Sequence, residues 1–126
     1  MRLMLYAAVG GAIGTAARHF VNVGFGRWLG PGFPWSTLFV NVVGGFLMGA
    51  LIEALALRFA GSLELRTFLA TGILGGFTTF SAFSMDAVLL MQRGETVTAT
   101  LYIGASVALS ILALLAGLSL TRVVLT

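Results

Sequence analysis

The sequence predicts an all-α integral membrane protein with four transmembrane helices. Three observations predict it. The composition is 59% hydrophobic and only 9% charged, with a mean hydropathy of +1.06. The charges leave long gaps: none falls in 28–52, 67–85 or 96–121, and Arg18 alone interrupts 3–26. Each apolar stretch reaches the roughly 20 residues that cross a hydrocarbon core. A soluble domain of 126 residues needs more charge to cover its surface.

The four spans are placed at 3–26, 36–58, 67–91 and 97–121. What remains is short: 27–35 with Gly30, Pro31, Gly32 and Pro34, then 59–66, then 92–96. The whole chain, 1–126, therefore reads as a single transmembrane domain. Arg2 ahead of an apolar run could open a signal peptide, but removing it would delete the most patterned helix, so this segment is read as a span. With no cysteine there is no disulfide framework and no thiol metal site. The net charge of +3 comes from scattered arginines that form no patch, which excludes nucleic acid as a partner.

Four spans put both termini on one side, with Arg2, Arg58, Arg66 and Arg122; Arg27 and Arg93 lie opposite, joined by Arg18 if it snorkels that way. The positive-inside rule needs a clearer difference than this to fix orientation. One reading is a weak preference for termini inside. The other is a chain that inserts both ways and forms antiparallel pairs. Size also favours pairs, because side chains fill the middle of a four-helix bundle and leave no lumen. Glycine pairs at Gly10 and Gly14, Gly45 and Gly49, and Gly72 and Gly76 would allow close helix approach, within one chain or between two.

Polar residues at bilayer depth face partners or cavities. In the first span, Arg18 is either an interfacial anchor or a fixed positive charge at the mouth of an anion path, and His19 beside it reads as an interface residue. In the second, Thr37 and Asn41 share one face, as helix–helix glue or as a path lining with an amide donor. In the fourth, Thr98, Tyr102, Ser106 and Ser110 form a hydroxyl stripe, either bonded back to the helix or lining a path.

The third span carries GGFTTFSAF at 75–83. Gly75 and Gly76 weaken a helix, and Thr78 and Thr79 are β-branched, so a break is expected near mid-membrane. Such breaks occur where backbone is buried or lines a cavity, and they release carbonyls for cations and amides for anions. Phe80 and Phe83 follow on one face, where packing is the ordinary role. No acidic residue lies deep in a span, which argues against a cation path or proton coupling. Hydroxyls, an amide and aromatic edges make weak donors without formal charge, suited to a small anion that must enter and leave.

Three segments, GGAIGTAARHF at 10–20, STLFVNVVGGFLMG at 36–49 and GGFTTFSAFSMD at 75–86, resemble the Fluc/CrcB family of fluoride channels. The resemblance runs over essentially the whole chain. It implies an antiparallel, dual-topology homodimer in the bacterial plasma membrane, with passive, selective fluoride export. By motif position it implies a fluoride path through Asn41, Phe80, Phe83, Tyr102, Ser106 and Ser110, with Thr37 and Thr79 beside it, and Arg18 in an aqueous vestibule with Asp86 near. It further implies a structural sodium ion at the dimer interface, held by the backbone carbonyls of Gly75 and Thr78 from both copies. His19 stands where a tyrosine is common and Ala82 where a threonine is common.

Rival readings remain. A small multidrug transporter would have a similar architecture, but needs a carboxylate in the first helix, where this chain has Arg18. A packing subunit of a larger membrane complex would use the polar stripe as glue. An enzyme is excluded by the lack of a converging nucleophile, base and orienting partner.

Overall fold

A computed structural model describes residues 1–30, 32–58 and 62–126; Pro31 in the first expected connection and residues 59–61 in the second lie outside the described residues. The elements in order are α1 (Arg2–Leu29), α2 (Trp35–Leu57), α3 (Leu63–Arg66), a π-helical run (Thr67–Leu74), α4 (Gly75–Phe77), α5 (Phe80–Gln92) and α6 (Thr96–Leu125). Among the described residues there is no strand. Three helical stretches are long and apolar enough to cross a membrane: Trp35–Leu57, Leu63–Gln92 and Thr96–Leu125. The chain is thus an all-helical, multi-pass membrane protein. α1 is as long as these but less apolar, because Arg18, His19 and Asn22 sit in its second half.

The helices run past the apolar stretches that mark them in the sequence. α1 continues to Leu29 and stops where Gly30 takes a φ of 73°, a left-handed conformation that side chains resist. The third helical stretch starts at Leu63 rather than at 67. The signals for that start are local: Ser62 Oγ accepts from Leu65 N at 3.1 Å, and Glu64 sits in the positive first turn.

Two packed pairs organise the chain. α2 lies along α6, and α1 lies along the π-helical run and α4. Glycine decides how close they come. A Cβ on Gly45 would lie 2.8 Å from Ser110 O, and one on Gly49 would overlap Leu114 O. On the other pair, a Cβ on Gly76 would lie 2.6 Å from Gly11 O, and Gly10 and Gly14 face the Phe68 and Ile73 carbonyls. All three glycine pairs are therefore occupied by packing within one chain. The core between the pairs holds Phe83, Ala87, Leu90, Ala99 and Tyr102, with Phe33, Leu38 and Ile103 against it. Leu112, Leu115 and Val123 of α6, like Met4 and Val9 of α1, are exposed, which suits a surface surrounded by lipid or protein rather than water.

The helical interruption lies later than the glycines suggest. Gly75 to Phe77 remain helical; Thr78 and Thr79 are the extended residues, with φ, ψ of −86°, 159° and −153°, 126°. Gly75 and Gly76 thus do not break the helix, and Gly76 serves the close approach to α1 instead.

One buried charge ties the C-terminal ends of α2 and α6. Glu53, 7% exposed, pairs with Arg122 of α6, and Arg58 Nη2 donates to Leu125 O at 2.9 Å. This closes the end of the α2–α6 pair.

Candidate functional site

The extended Thr78–Thr79 segment is held by α2. Asn41 Nδ2 donates to Thr79 O at 3.0 Å, and Asn41 Oδ1 accepts from Thr79 N at 2.8 Å. One carboxamide thus occupies both backbone groups of one residue. Thr79 in turn caps α5, its Oγ1 accepting from Ala82 N at 3.1 Å. Thr78 Oγ1 bonds back to Leu74 O at 3.0 Å, and Arg18 Nε donates to Gly76 O at 3.0 Å.

These bonds redirect the amides of the break. In an unbroken helix, Thr79 N would serve Gly75 O and Ala82 N would serve Thr78 O. Here the first goes to Asn41 and the second to the Thr79 hydroxyl. The Gly75 and Thr78 carbonyls are thereby released from their helical donors. Neutral carbonyl oxygens are the kind of ligand a hard cation takes.

Two spaces flank the break. On one side is a groove of about 350 Å³, lined by Asn41, Thr78, Thr79, Phe80, Phe83, Ser106 and Ser110, and otherwise by Gly44, Gly45, Met48, Val107, Ile111 and Leu114, so that its wall is mostly apolar. On the other is a crevice of about 220 Å³ along the second half of α1, lined by Arg18, His19, Asn22, Thr37, Thr79 and Asp86. Thr79 borders both.

The two phenylalanines diverge, with ring centroids 5.5 Å apart. Phe83 is 8% exposed and packs into the core, whereas Phe80 is 77% exposed at the lip of the groove. Tyr102 is fully buried, outside the groove lining, 5.3 Å from Phe83 between ring centroids. Its Oη donates to Asp86 Oδ2 at 3.2 Å. Ser106 Oγ is buried and has no hydrogen-bond partner among the described residues. Thr37 is buried at the crevice, and Ser110 lines the groove one helical turn from Ser106.

The structure therefore gathers Asn41, Thr78, Thr79, Phe80, Phe83, Ser106 and Ser110 at one groove, and Arg18 and Thr37 at the crevice behind it. Gly75 joins neither space; Tyr102 stands between them as core. The sequence reading passed over Asn22, whose Oδ1 accepts from Ser36 Oγ at 2.7 Å and so links α1 to α2 at the crevice mouth. Its signal was available: a second carboxamide, one turn after Arg18.

The CrcB-like protein (camphor resistance) family matches residues 5–118. The chain belongs to the CrcB family. Its CrcB relatives include the fluoride-specific ion channel FluC of Rhizobium etli, 55% identical over 118 residues, 94% of each chain. The protein of the same name from Nitrobacter winogradskyi is 49% identical over 121 residues, 96% of each chain. That from a Chelativorans species is 54% identical over 122 residues, 97% of this chain and 98% of the relative. CrcB proteins of this kind are named as channels, and the chain is accordingly not an enzyme.

Proposed function

We propose that the chain is a fluoride-selective channel that lets fluoride leave the cytoplasm passively. The observation that carries this reading is the groove beside the break, a mostly apolar cleft where two phenylalanine rings, hydroxyls and an amide meet with no acidic side chain in its lining. The names of the relatives, fluoride-specific ion channels at about half identity over nearly the whole chain, support the same ion.

On this reading the chain spans the plasma membrane four times, with α1 as the first span and the stretch from Leu63 to Gln92 as a broken third span. The groove opens outward, with Phe80 exposed at its lip, and so needs a second wall. A second copy in antiparallel orientation supplies it, surrounded by lipid, and the near balance of arginines suits a chain that inserts both ways.

Fluoride enters through the crevice under the positive charge of Arg18. It passes Thr37 and Thr79, then follows Phe80, Phe83 and the hydroxyls of Ser106 and Ser110. Asn41 keeps the break open and offers its remaining N–H to the anion. Tyr102 backs the path by fixing Asp86 and Phe83. The carbonyls of Gly75 and Thr78, two from each copy, would hold a structural sodium ion at the dimer interface. That ion would supply a fixed positive charge that keeps the two breaks facing each other.

The test is fluoride efflux from liposomes carrying the purified protein, read with a fluoride electrode beside a chloride run. Rapid fluoride release without chloride release, abolished by Phe80→Ile, is expected. No release from folded dimers would assign the groove to packing.

A further inference from the structure

The crevice behind the break continues into a second space of about 220 Å³, which reaches Phe33, Pro34 and Arg93 near the helix ends. The two spaces share four lining residues: Asn22 of α1, Ser36 and Thr37 of α2, and Asp86 of α5. None of the four is apolar, so the neck between the spaces is polar. Asn22 follows Arg18 by one helical turn and Thr15 by two, and all three line the crevice. A polar stripe in a membrane helix marks a cavity or a ligand path.

Asn22 is exposed, and one bond orients its carboxamide: Ser36 Oγ donates to Asn22 Oδ1 at 2.7 Å. The amide oxygen is thereby engaged by α2. The NH2 group has no hydrogen-bond partner among the described residues, so two N–H donors are left at the neck. Formal charge does not favour an anion here, because Arg18 and Asp86 offset each other across the same crevice. Arg18 Nε is bound to Gly76 O, and Asp86 Oδ2 accepts from Tyr102 Oη. Neutral dipoles therefore decide which ion the neck prefers, and the Asn22 amide presents donors only.

We propose that Asn22 is a direct fluoride ligand at the entrance, its amide held N–H outward by Ser36. The proposal rests on the fluoride-channel reading above and adds a site to it, where the anion is held at the neck before it reaches Arg18 and Thr79. Ser36 is then a positioning residue. A clasp between α1 and α2 needs only the amide oxygen, and the two N–H groups are what a clasp leaves over. Donors without formal charge hold a small anion weakly enough for it to move on.

The experiment is the fluoride current through purified protein in planar bilayers at fixed pH, over a range of fluoride concentrations, with thermal melting in detergent beside it. Asn22→Ala and Ser36→Ala both remove the bond between α1 and α2, so both should melt lower by a similar amount. Their currents should differ. Asn22→Ala should lose about threefold to tenfold at low fluoride, the worth of one hydrogen bond, and the loss should shrink as fluoride rises. Ser36→Ala should lose much less, because its amide keeps both N–H groups. Asn22→Asp keeps the acceptor for Ser36 and should melt near the wild type, yet lose the most current at low fluoride. Equal currents in the two alanine variants would overturn the proposal and leave Asn22 a clasp, and so would an Asn22→Asp variant that conducts like the wild type. In both cases the wild-type current leaves the channel reading standing. No fluoride current from the folded wild type would remove the channel reading and this site together.

Discussion

Asn41 binds the backbone of Thr79 at both its N–H and its C=O, from 38 residues away in sequence. The pair turns a local irregularity into a fixed one. Thr79 cannot return to the helix without leaving the carboxamide unsatisfied in an apolar setting, which costs about 1–3 kcal/mol. Asn41→Asp keeps the shape and the acceptor but removes the donor and opposes a carboxylate to Thr79 O. Thermal unfolding in detergent should show a loss of about that size, and fluoride efflux should largely disappear. Unchanged melting would mean that the clamp contributes nothing.

The two threonines of the break should separate on mutation. Thr79 Oγ1 caps α5, so Thr79→Ala should lower stability by about 1 kcal/mol, with Thr79→Ser restoring it. The Thr78 hydroxyl only bonds back within its own helix, so Thr78→Ala should be milder; on the proposed reading of a sodium-linked dimer it should also leave assembly intact. Loss of assembly in Thr78→Ala would place the sodium contact on the side chain rather than the carbonyl. Size-exclusion chromatography with and without sodium reads this.

Ser106 should show stability and conduction moving in opposite directions. Its buried hydroxyl has no partner among the described residues, so Ser106→Ala removes an unsatisfied group and should raise the melting temperature, by about 1–3 kcal/mol of stability at most. If the hydroxyl serves fluoride, the same variant should conduct more slowly. A variant that is less stable and conducts normally would make Ser106 a packing residue.

The glycines should divide by neighbour rather than by motif. Gly49→Ala drives a methyl into Leu114 O and should cost about 1–3 kcal/mol through forced separation of α2 and α6. Gly104 has open space where a Cβ would go, so Gly104→Ala should be neutral or stabilising by up to about 1 kcal/mol. Equal melting of the two variants would show that α2 and α6 give way freely.

The later three of the four expected spans were legible because charge gaps are a local property of sequence, and the hydroxyls of α6 could be grouped because they share one helix. What lay outside local pattern was missed or displaced. Gly75 and Gly76 suggested the break, but glycine serves close approach as readily as flexibility, and the extended residues are Thr78 and Thr79. Ser62 and Glu64 start a helix inside what hydropathy marked as a connection. Glu53 pairs with Arg122 across 69 residues, and Asn22 of α1 with Ser36 of α2 across 14; neither partner can be chosen from spacing. Tyr102 belongs to the hydroxyl stripe by spacing, yet its ring is core and its hydroxyl turns to Asp86. Backbone carbonyls carry no side-chain signature, so the freed oxygens at Gly75 and Thr78 emerge only from where the amides of Thr79 and Ala82 go.

The one-sided groove has a consequence for how such a chain enters a cell membrane. On the proposed reading, a newly inserted single copy turns its groove, with Phe80 at the lip, toward acyl chains. Hydrocarbon filling that space admits no ions. A lone copy is therefore electrically silent, and the membrane potential is never exposed to a half-assembled conduit during synthesis.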